Sequence, residues 1–378
     1  MKIALVGPTY PFRGGISHYT TLLFRYMNEK HDVRFYTFSR QYPKMLYPGD
    51  PAADTSTMTI NAGDTIPSID WANPLSWITT GLLIAKWSPD AIVFPWWMWG
   101  WAIPFWIIAR LVSMRGTKVL FLCHNVVEHE SAGWKNRLTK FSLSTGDSFI
   151  VHSQGDMENL KKIIPGARIA VHFHPTYAIF NTSSLSMKQA RNRLGINGKL
   201  GKVILFFGIV RPYKGLKHLI KAMPMVIENV PDVCLVIAGE FWEDKEEYEK
   251  LIANLGIAGH IRLFDQYVPN EDVEMYFSSA DLVVLPYVSA TGSGVTQLAF
   301  GFNKPVVATS VGDLPQVIEH GRRGFITNPQ DAVSLAQAII NTLDVGVLTT
   351  LGNNIKHDRE LFSWEHLVRT IEQSVVTA

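Results

Sequence analysis

The feature that most constrains this chain is an alternation. Short, mostly apolar runs return at residues 3–6, 33–38, 91–94, 119–123 and 149–152, and again at 203–207, 234–238, 261–264, 282–285 and 306–308. Helical stretches separate them. Short apolar strands divided by helices indicate parallel sheets covered on both faces. The rhythm pauses at residues 172–184, where His, Pro, Asn, Thr and Ser collect. The expected architecture is α/β: two Rossmann-like, doubly wound parallel-sheet domains facing a cleft, where ligands of such folds bind.

Composition narrows the function. With 378 residues, 47% hydrophobic and 18% charged, the chain is globular and long enough for two domains. Two cysteines exclude a disulfide scaffold and a cysteine-based zinc cluster, and their apolar surroundings suggest buried thiols. The opening Met1-Lys2-Ile3-Ala4-Leu5-Val6-Gly7 is one short strand, too brief for a signal-peptide core, so a cytoplasmic location is expected. A net charge of +2 argues against nucleic acid as a partner. The charge is uneven: residues 1–178 hold 17 Lys and Arg against 12 Asp and Glu, a balance of +5, and the remainder has −3.

One run raises the question of a membrane. Residues 91–109 carry no charge and contain five tryptophans, a length that meets the threshold for a span. Pro95 and Pro104 interrupt it, and its tryptophans crowd the middle rather than the ends. A strand followed by a helix fits the alternation better than a span. That helix either lies buried or turns an aromatic face to a bilayer. Further on, a helix over 134–143 would align Trp134, Leu138 and Phe141, with Lys135 and Lys140 beside them. Such a helix either packs on its own sheet or attaches peripherally to an anionic surface.

The two halves share a loop. Gly7-Pro8-Thr9-Tyr10-Pro11-Phe12-Arg13-Gly14 matches Gly208-Ile209-Val210-Arg211-Pro212-Tyr213-Lys214-Gly215 as Gly, three residues, Pro, aromatic, basic, Gly. Each follows the first strand of its half, where backbone N–H groups and a cation can face an anion. The first loop, with Gly14 and Gly15, is not Gly-x-Gly-x-x-Gly, and no acid ends the second strand at Phe38-Ser39-Arg40, so nicotinamide binding is not expected. Arg211 and Lys214 beside small residues suit a diphosphate, whose departure they could assist electrostatically. Downstream, Ser289-Ala290-Thr291-Gly292-Ser293-Gly294-Val295-Thr296-Gln297 is a small-residue loop opening a helix, a second anion or sugar site in the same half.

In the first half, Cys123-His124-Asn125 ends a strand at the expected cleft, followed by Glu128, His129 and Glu130. These polar groups could orient or deprotonate an acceptor hydroxyl. His124 and His129 are not at the spacing that places two ligands on one helix face, so no metal is expected.

Taken in order, Phe207-Gly208, Lys214-Gly215, Val236-Ile237-Ala238-Gly239, Ala280-Asp281-Leu282-Val283-Val284-Leu285-Pro286, Lys304-Pro305-Val306-Val307-Ala308-Thr309, Gly321 and Gly324-Phe325 resemble the retaining family 4 glycosyltransferases of the GT-B fold. The resemblance implies an acceptor-binding domain at 1–176, a nucleotide-sugar-binding domain at 177–362, and a helix at 363–378 returning to the first. It places Lys214 on the family's diphosphate-binding lysine. Ile209 occupies the partner arginine's position, for which Arg211 would substitute. Gln297 and Ser289 occupy the positions of two glutamates. It implies donor contacts from Gly208, Gly239, Ser289, Thr291, Gly292, Ser293, Gly294, Val295 and Gln297. Gly14, Gly15, Asn125, Glu128 and His129 would face the acceptor, with His124 near the reacting sugar. The expected function is transfer of a sugar from a nucleoside-diphosphate donor to a lipid-linked or envelope glycan acceptor, with retention and no cofactor, at the inner face of a membrane. The alternative is a sugar-nucleotide-binding protein without turnover, since both glutamates are absent.

Overall fold

The computed structural model describes residues 1–12, 14–41, 56–126, 133–196 and 200–378. The chain forms two compact units. One comprises Met1–Thr55, Thr59–His174 and Leu361–Ala378; the other comprises Ser56–Met58 and Pro175–Glu360.

The first unit runs β1 (Lys2–Val6), α1 (Gly15–Asn28), β2 (Asp32–Arg40), β3 (Thr65–Asp70), α2 (Pro74–Trp87) and β4 (Ala91–Trp96). It continues through α3 (Ala102–Ser113), β5 (Lys118–Cys123), α4 (Gly133–Leu143), β6 (Ser148–Val151), α5 (Gln154–Ile163) and β7 (Ile169–Val171). The second unit opens with α6 (Met187–Arg193), β8 (Lys202–Phe207), α7 (Leu216–Asn229), β9 (Val233–Ala238), α8 (Lys245–Asn254) and β10 (Ile261–Phe264). Then come α9 (Asn270–Ser279), β11 (Leu282–Leu285), α10 (Gly294–Gly301), β12 (Val306–Thr309), α11 (Leu314–Ile318), β13 (Gly324–Thr327), α12 (Ala332–Thr342) and α13 (Val345–His357). The last helix, α14 (Trp364–Val376), belongs to the first unit, where Trp364 meets Tyr19 at 4.9 Å and stacks near Tyr26 at 5.9 Å between ring centroids.

Each unit is a doubly wound parallel sheet. The first has seven strands in the order β3-β2-β1-β4-β5-β6-β7, and the second six in the order β10-β9-β8-β11-β12-β13. Both orders reverse direction beside the first strand of the unit, between β1 and β4 and between β8 and β11. The chain outside the carboxyl ends of such a pair is where open α/β sheets bind ligands. The central strands β1, β4, β5, β8, β9 and β11 are apolar because both of their faces are covered.

The tryptophan-rich run divides as the alternation requires. It forms β4, a short turn of helix at Trp99–Trp101, and α3, with Trp96 and Trp101 buried in the core. Among the described residues, no single helix is long and apolar enough to cross a membrane; one pair of segments, Ala332–Thr342 and Val345–Val376, qualifies only together and is bent by 86°. Cys123 and Cys234 are both buried and free.

Candidate active site

In the second unit, four loops meet beyond the switch point. Gly208 follows β8 with φ +97°, and Gly239 follows β9 with φ +152°. A Cβ on Gly239 would lie 2.2 Å from the Gly208 carbonyl oxygen, so close packing of these two strand ends requires glycine. Gly215, with φ +66°, sits where a Cβ would lie 2.0 Å from the Pro286 carbonyl oxygen, so the loops after β8 and β11 also touch. The Val288 amide donates to the Tyr213 carbonyl at 2.7 Å and fixes that approach. The loop after β12 joins through the Asp313 amide, which donates to the Thr291 carbonyl at 2.9 Å.

This packing buries a cation. Lys214 is only 9% exposed. A Cβ on Gly208 would come within 2.7 Å of its Nζ, which lies 5.8 Å from the centre of the Tyr287 ring. Burial first, and then the charge of Arg211, push the Lys214 ammonium down to about 8. The half-buried Arg211 lays its guanidinium over Trp242 at 4.1 Å. Neither cation has a carboxylate partner among the described residues. A buried ammonium without a counter-charge is costly and is offset when an anion arrives.

The small-residue loop contributes in parts. Ser293 precedes α10 without capping it through its side chain, and its hydroxyl meets Tyr287 Oη at 3.1 Å. The first amides of α10 are left without a side-chain partner. Val295 lies near Gly208, 3.9 Å from the position a Cβ would take there. Gln297 and Thr296 are buried, and each leaves a side-chain oxygen, Oε1 and Oγ1, without a hydrogen bond. Ser289 and Thr291 are exposed. Gly292 sits against Asp313, whose carboxylate a Cβ would meet at 2.7 Å. Tyr287, Trp242 and Asp313 thus join the site without having been singled out in the sequence; being next to a strand end or loop contact was their only signal.

In the first unit, the ends of β5, β6 and β7 carry imidazoles around a buried phenol. Tyr19 of α1 meets His124 at 4.3 Å, His174 at 4.8 Å and His152 at 5.6 Å between ring centroids. The His152 Nδ1–H donates to the His172 carbonyl at 2.8 Å, leaving Nε2 to accept from Tyr19 Oη at 3.3 Å. His124 Nε2 is enclosed and has no hydrogen-bond partner. Burial, then neighbouring imidazoles, hold both His124 and His152 well below the ordinary histidine value, so both are neutral at pH 7. His152 and His174 were missed, although His152, like His124, immediately follows a strand.

Asn125 is half-buried beside His124. Gly14, with φ +127°, and Gly15 open α1, and a Cβ on either would meet nothing within 4 Å. Arg13, Glu128 and His129 lie outside the described residues. Among the described residues, no group of three His, Cys, Asp or Glu could hold a metal ion. Arg40, at the end of β2, is forked onto Asp70 at 3.0 and 2.8 Å.

Residues 201–344 match the family model for glycosyl transferases group 1. The span covers the buried lysine, the glycine contacts and the α10 loop. Among curated relatives, an uncharacterized glycosyltransferase, MJ1607 of Methanocaldococcus jannaschii, is 34% identical over 171 residues, which is 44% of this chain and 43% of that protein. A D-inositol 3-phosphate glycosyltransferase of Corynebacterium efficiens is 27% identical, over 56% of this chain and 50% of its own length. The chain thus spans about half the length of the curated relatives it matches. Among solved structures, HepE of Anabaena in complex with UDP aligns over 100% of both chains, with a TM-score of 0.75 and 18% identity. That likeness establishes the two-domain Rossmann-like fold.

Proposed function

We propose that this protein is a glycosyltransferase that moves a sugar from a nucleoside-diphosphate donor to a glycan or lipid-linked acceptor, retaining the anomeric configuration. The observation that carries this reading is Lys214, buried beside Arg211 at the β8–β11 switch point without a carboxylate partner among the described residues. A donor diphosphate supplies the missing charge. As the anomeric C–O bond breaks, negative charge grows on the leaving phosphate, and fixed cations stabilise that charge more than the ground state. The acceptor oxygen forms the new bond on the same face of the sugar, and its proton passes to the departing phosphate. No protein base is then needed, consistent with Ser289 and Gln297 in place of acids. The unpartnered Gln297 Oε1 can accept from a ribose hydroxyl.

The first unit takes the acceptor. His124 is neutral and its Nε2 lacks a hydrogen-bond partner; a sugar or acceptor hydroxyl reaches that enclosed nitrogen only as the side chains around it shift. No metal or cofactor enters this scheme. The reading places the protein in the cytoplasm at the inner face of a membrane. The absence of an acid at 289 and 297 favours one second reading, a protein that binds nucleotide sugars without turning them over.

Calorimetry with nucleoside diphosphates, followed by transfer assays, tests the proposal. UDP and UDP-glucose head the panel because HepE holds both. Lys214→Ala should weaken diphosphate binding about 10- to 150-fold, the loss of one charge-assisted contact. His124→Ala should leave binding within about twofold and lose turnover. No binding by any nucleoside diphosphate would refute the proposal, and binding without transfer across the panel would establish the second reading.

A further inference from the structure

Half of the large apolar side chains that are exposed among the described residues lie on or directly beside three consecutive helices, α2, α3 and α4. In α2, a helix apolar nearly all round, Leu75, Ile78 and Leu82 recur at three- and four-residue spacing on the solvent side. Exposure of Leu75 reaches 69%. Its inner side packs on α3 so closely that a Cβ on Gly81 would come within 2.7 Å of Leu111. The outer side of α3 presents Ile103 and half-buried Trp106. Trp106 stacks on Phe141 of α4 at 4.7 Å, and Trp134 meets Trp99 edge-on at 4.8 Å. The apolar surface is therefore continuous across the layer. The sequence placed Leu138 on it as well, but Leu138 is half-buried against the core of the unit.

The charge on this layer has one sign. None of the three helices contains Asp or Glu. Lys86, Arg110, Arg137 and Lys140 are exposed and form no ion pair among the described residues. We propose that the α2–α3–α4 face of the first unit seats this protein on an anionic lipid bilayer. Apolar side chains enter the headgroup boundary while the cations meet lipid phosphates. A second copy is a poorer occupant, because a self-paired interface would set like charges against each other. The proposal deepens the reading above: it rests on an acceptor carried in lipid, reached by a unit lying on the membrane.

Flotation with vesicles of phosphatidylcholine and phosphatidylglycerol, against phosphatidylcholine alone, tests this without donor or acceptor. The full chain should float with anionic vesicles at low salt, about tenfold less with neutral ones, and should be released by high salt. Arg137→Glu with Lys140→Glu should reduce the bound fraction about tenfold or more. Ile78→Glu with Leu82→Glu should do the same, because charge replaces the inserted side chains. These positions are exposed, so an unchanged melting temperature checks the fold. Brominated lipid should quench tryptophan fluorescence in the unaltered protein. The inference fails if the protein stays in solution with anionic vesicles, if both variants float like the parent, or if the face proves to mediate self-association without lipid. Diphosphate calorimetry on the same samples is independent of lipid, so failure of the surface and failure of the transferase reading are distinguishable.

Discussion

The two sheets wind in the same order, yet their carboxyl edges solve opposite electrostatic problems. After β8 and β11 the second unit buries an ammonium with no carboxylate partner among the described residues. After β5 and β6 the first unit buries imidazoles that refuse a proton. An edge that holds charge with no carboxylate partner among the described residues suits an anion. An edge that excludes charge suits an uncharged partner. The matched loops show the same divergence. Glycine at 208, 215 and 239 has a positive φ, and at 215 and 239 backbone oxygens leave no room for a Cβ. Gly14, matched to Gly215, shares the positive φ but has open space around it, as does Gly15.

That contrast breaks most sharply on alanine. Gly239→Ala and Gly215→Ala combine a left-handed backbone with a collision against a carbonyl oxygen, and should each cost about 3 kcal/mol or more. Gly15→Ala, at the first turn of α1, should be neutral or stabilise by up to about 0.5 kcal/mol. Urea unfolding measures all three. Equal losses would mean that the two loops are constrained alike.

The sequence made the sheet centres legible, and of the four edge strands only β10. Every run read as a strand is one, because strands buried on both faces must be apolar. The strands that went unread, β3, β7 and β13, all lie at sheet edges. There β3 carries Pro67, Ser68 and Asp70 with most residues partly exposed, and β7 is three residues long. An edge strand needs neither an apolar run nor a full set of amide donors. At the site, Arg211, Lys214 and the glycines could be found because they are contiguous. The ring around Tyr19 draws on residues 19, 124, 152 and 174, and only the fold brings them together. The outward leucines of α2 escaped notice because an apolar helix between strands reads as core.

Acid and alkali should separate the two edges. Lys214 loses its proton near pH 8 in the free protein, and a bound diphosphate favours the protonated form. Nucleoside diphosphate affinity should therefore hold below pH 8 and fall above it, by up to about tenfold per pH unit. Lys214→Arg should flatten that decline. In the first unit the shift acts on stability. Histidines of the unfolded chain take up protons below 6.5, while His124 and His152 are held well below that value and His172 near 4. The unfolded state then binds more protons, so stability is full above pH 6.5 and falls as the pH drops below it. The slope is about 1.4 kcal/mol per pH unit for each histidine still neutral in the fold. Thermal unfolding from pH 7.5 to 5 reads this directly, and His124→Gln should remove one proton's share. A stability flat across that range would show the imidazoles to be free to charge.

The smallest effect concerns how an arginine is held. Arg40, the last residue of β2, is forked onto Asp70 and so is already neutralised. Arg211, after β8, lies on the half-exposed Trp242 and has no carboxylate partner among the described residues. The ring orients the guanidinium without neutralising it, and the Trp242 amide, donating to the Val210 carbonyl at 3.1 Å, fixes the backbone that carries the ring. Trp242→Ala leaves the positive charge but removes its platform. A cation–π contact at an exposed site contributes about 0.5–1 kcal/mol, so diphosphate affinity should drop about two- to fivefold. Arg211→Ala removes the charge as well and should cost about tenfold or more. Arg40→Ala should leave affinity unchanged. If Arg211→Ala binds like the parent, Arg211 is not the second diphosphate cation and Lys214 acts alone. If Trp242→Ala costs as much as Arg211→Ala, the indole itself touches the nucleotide, and the contrast between a paired and a poised arginine gives way to direct stacking.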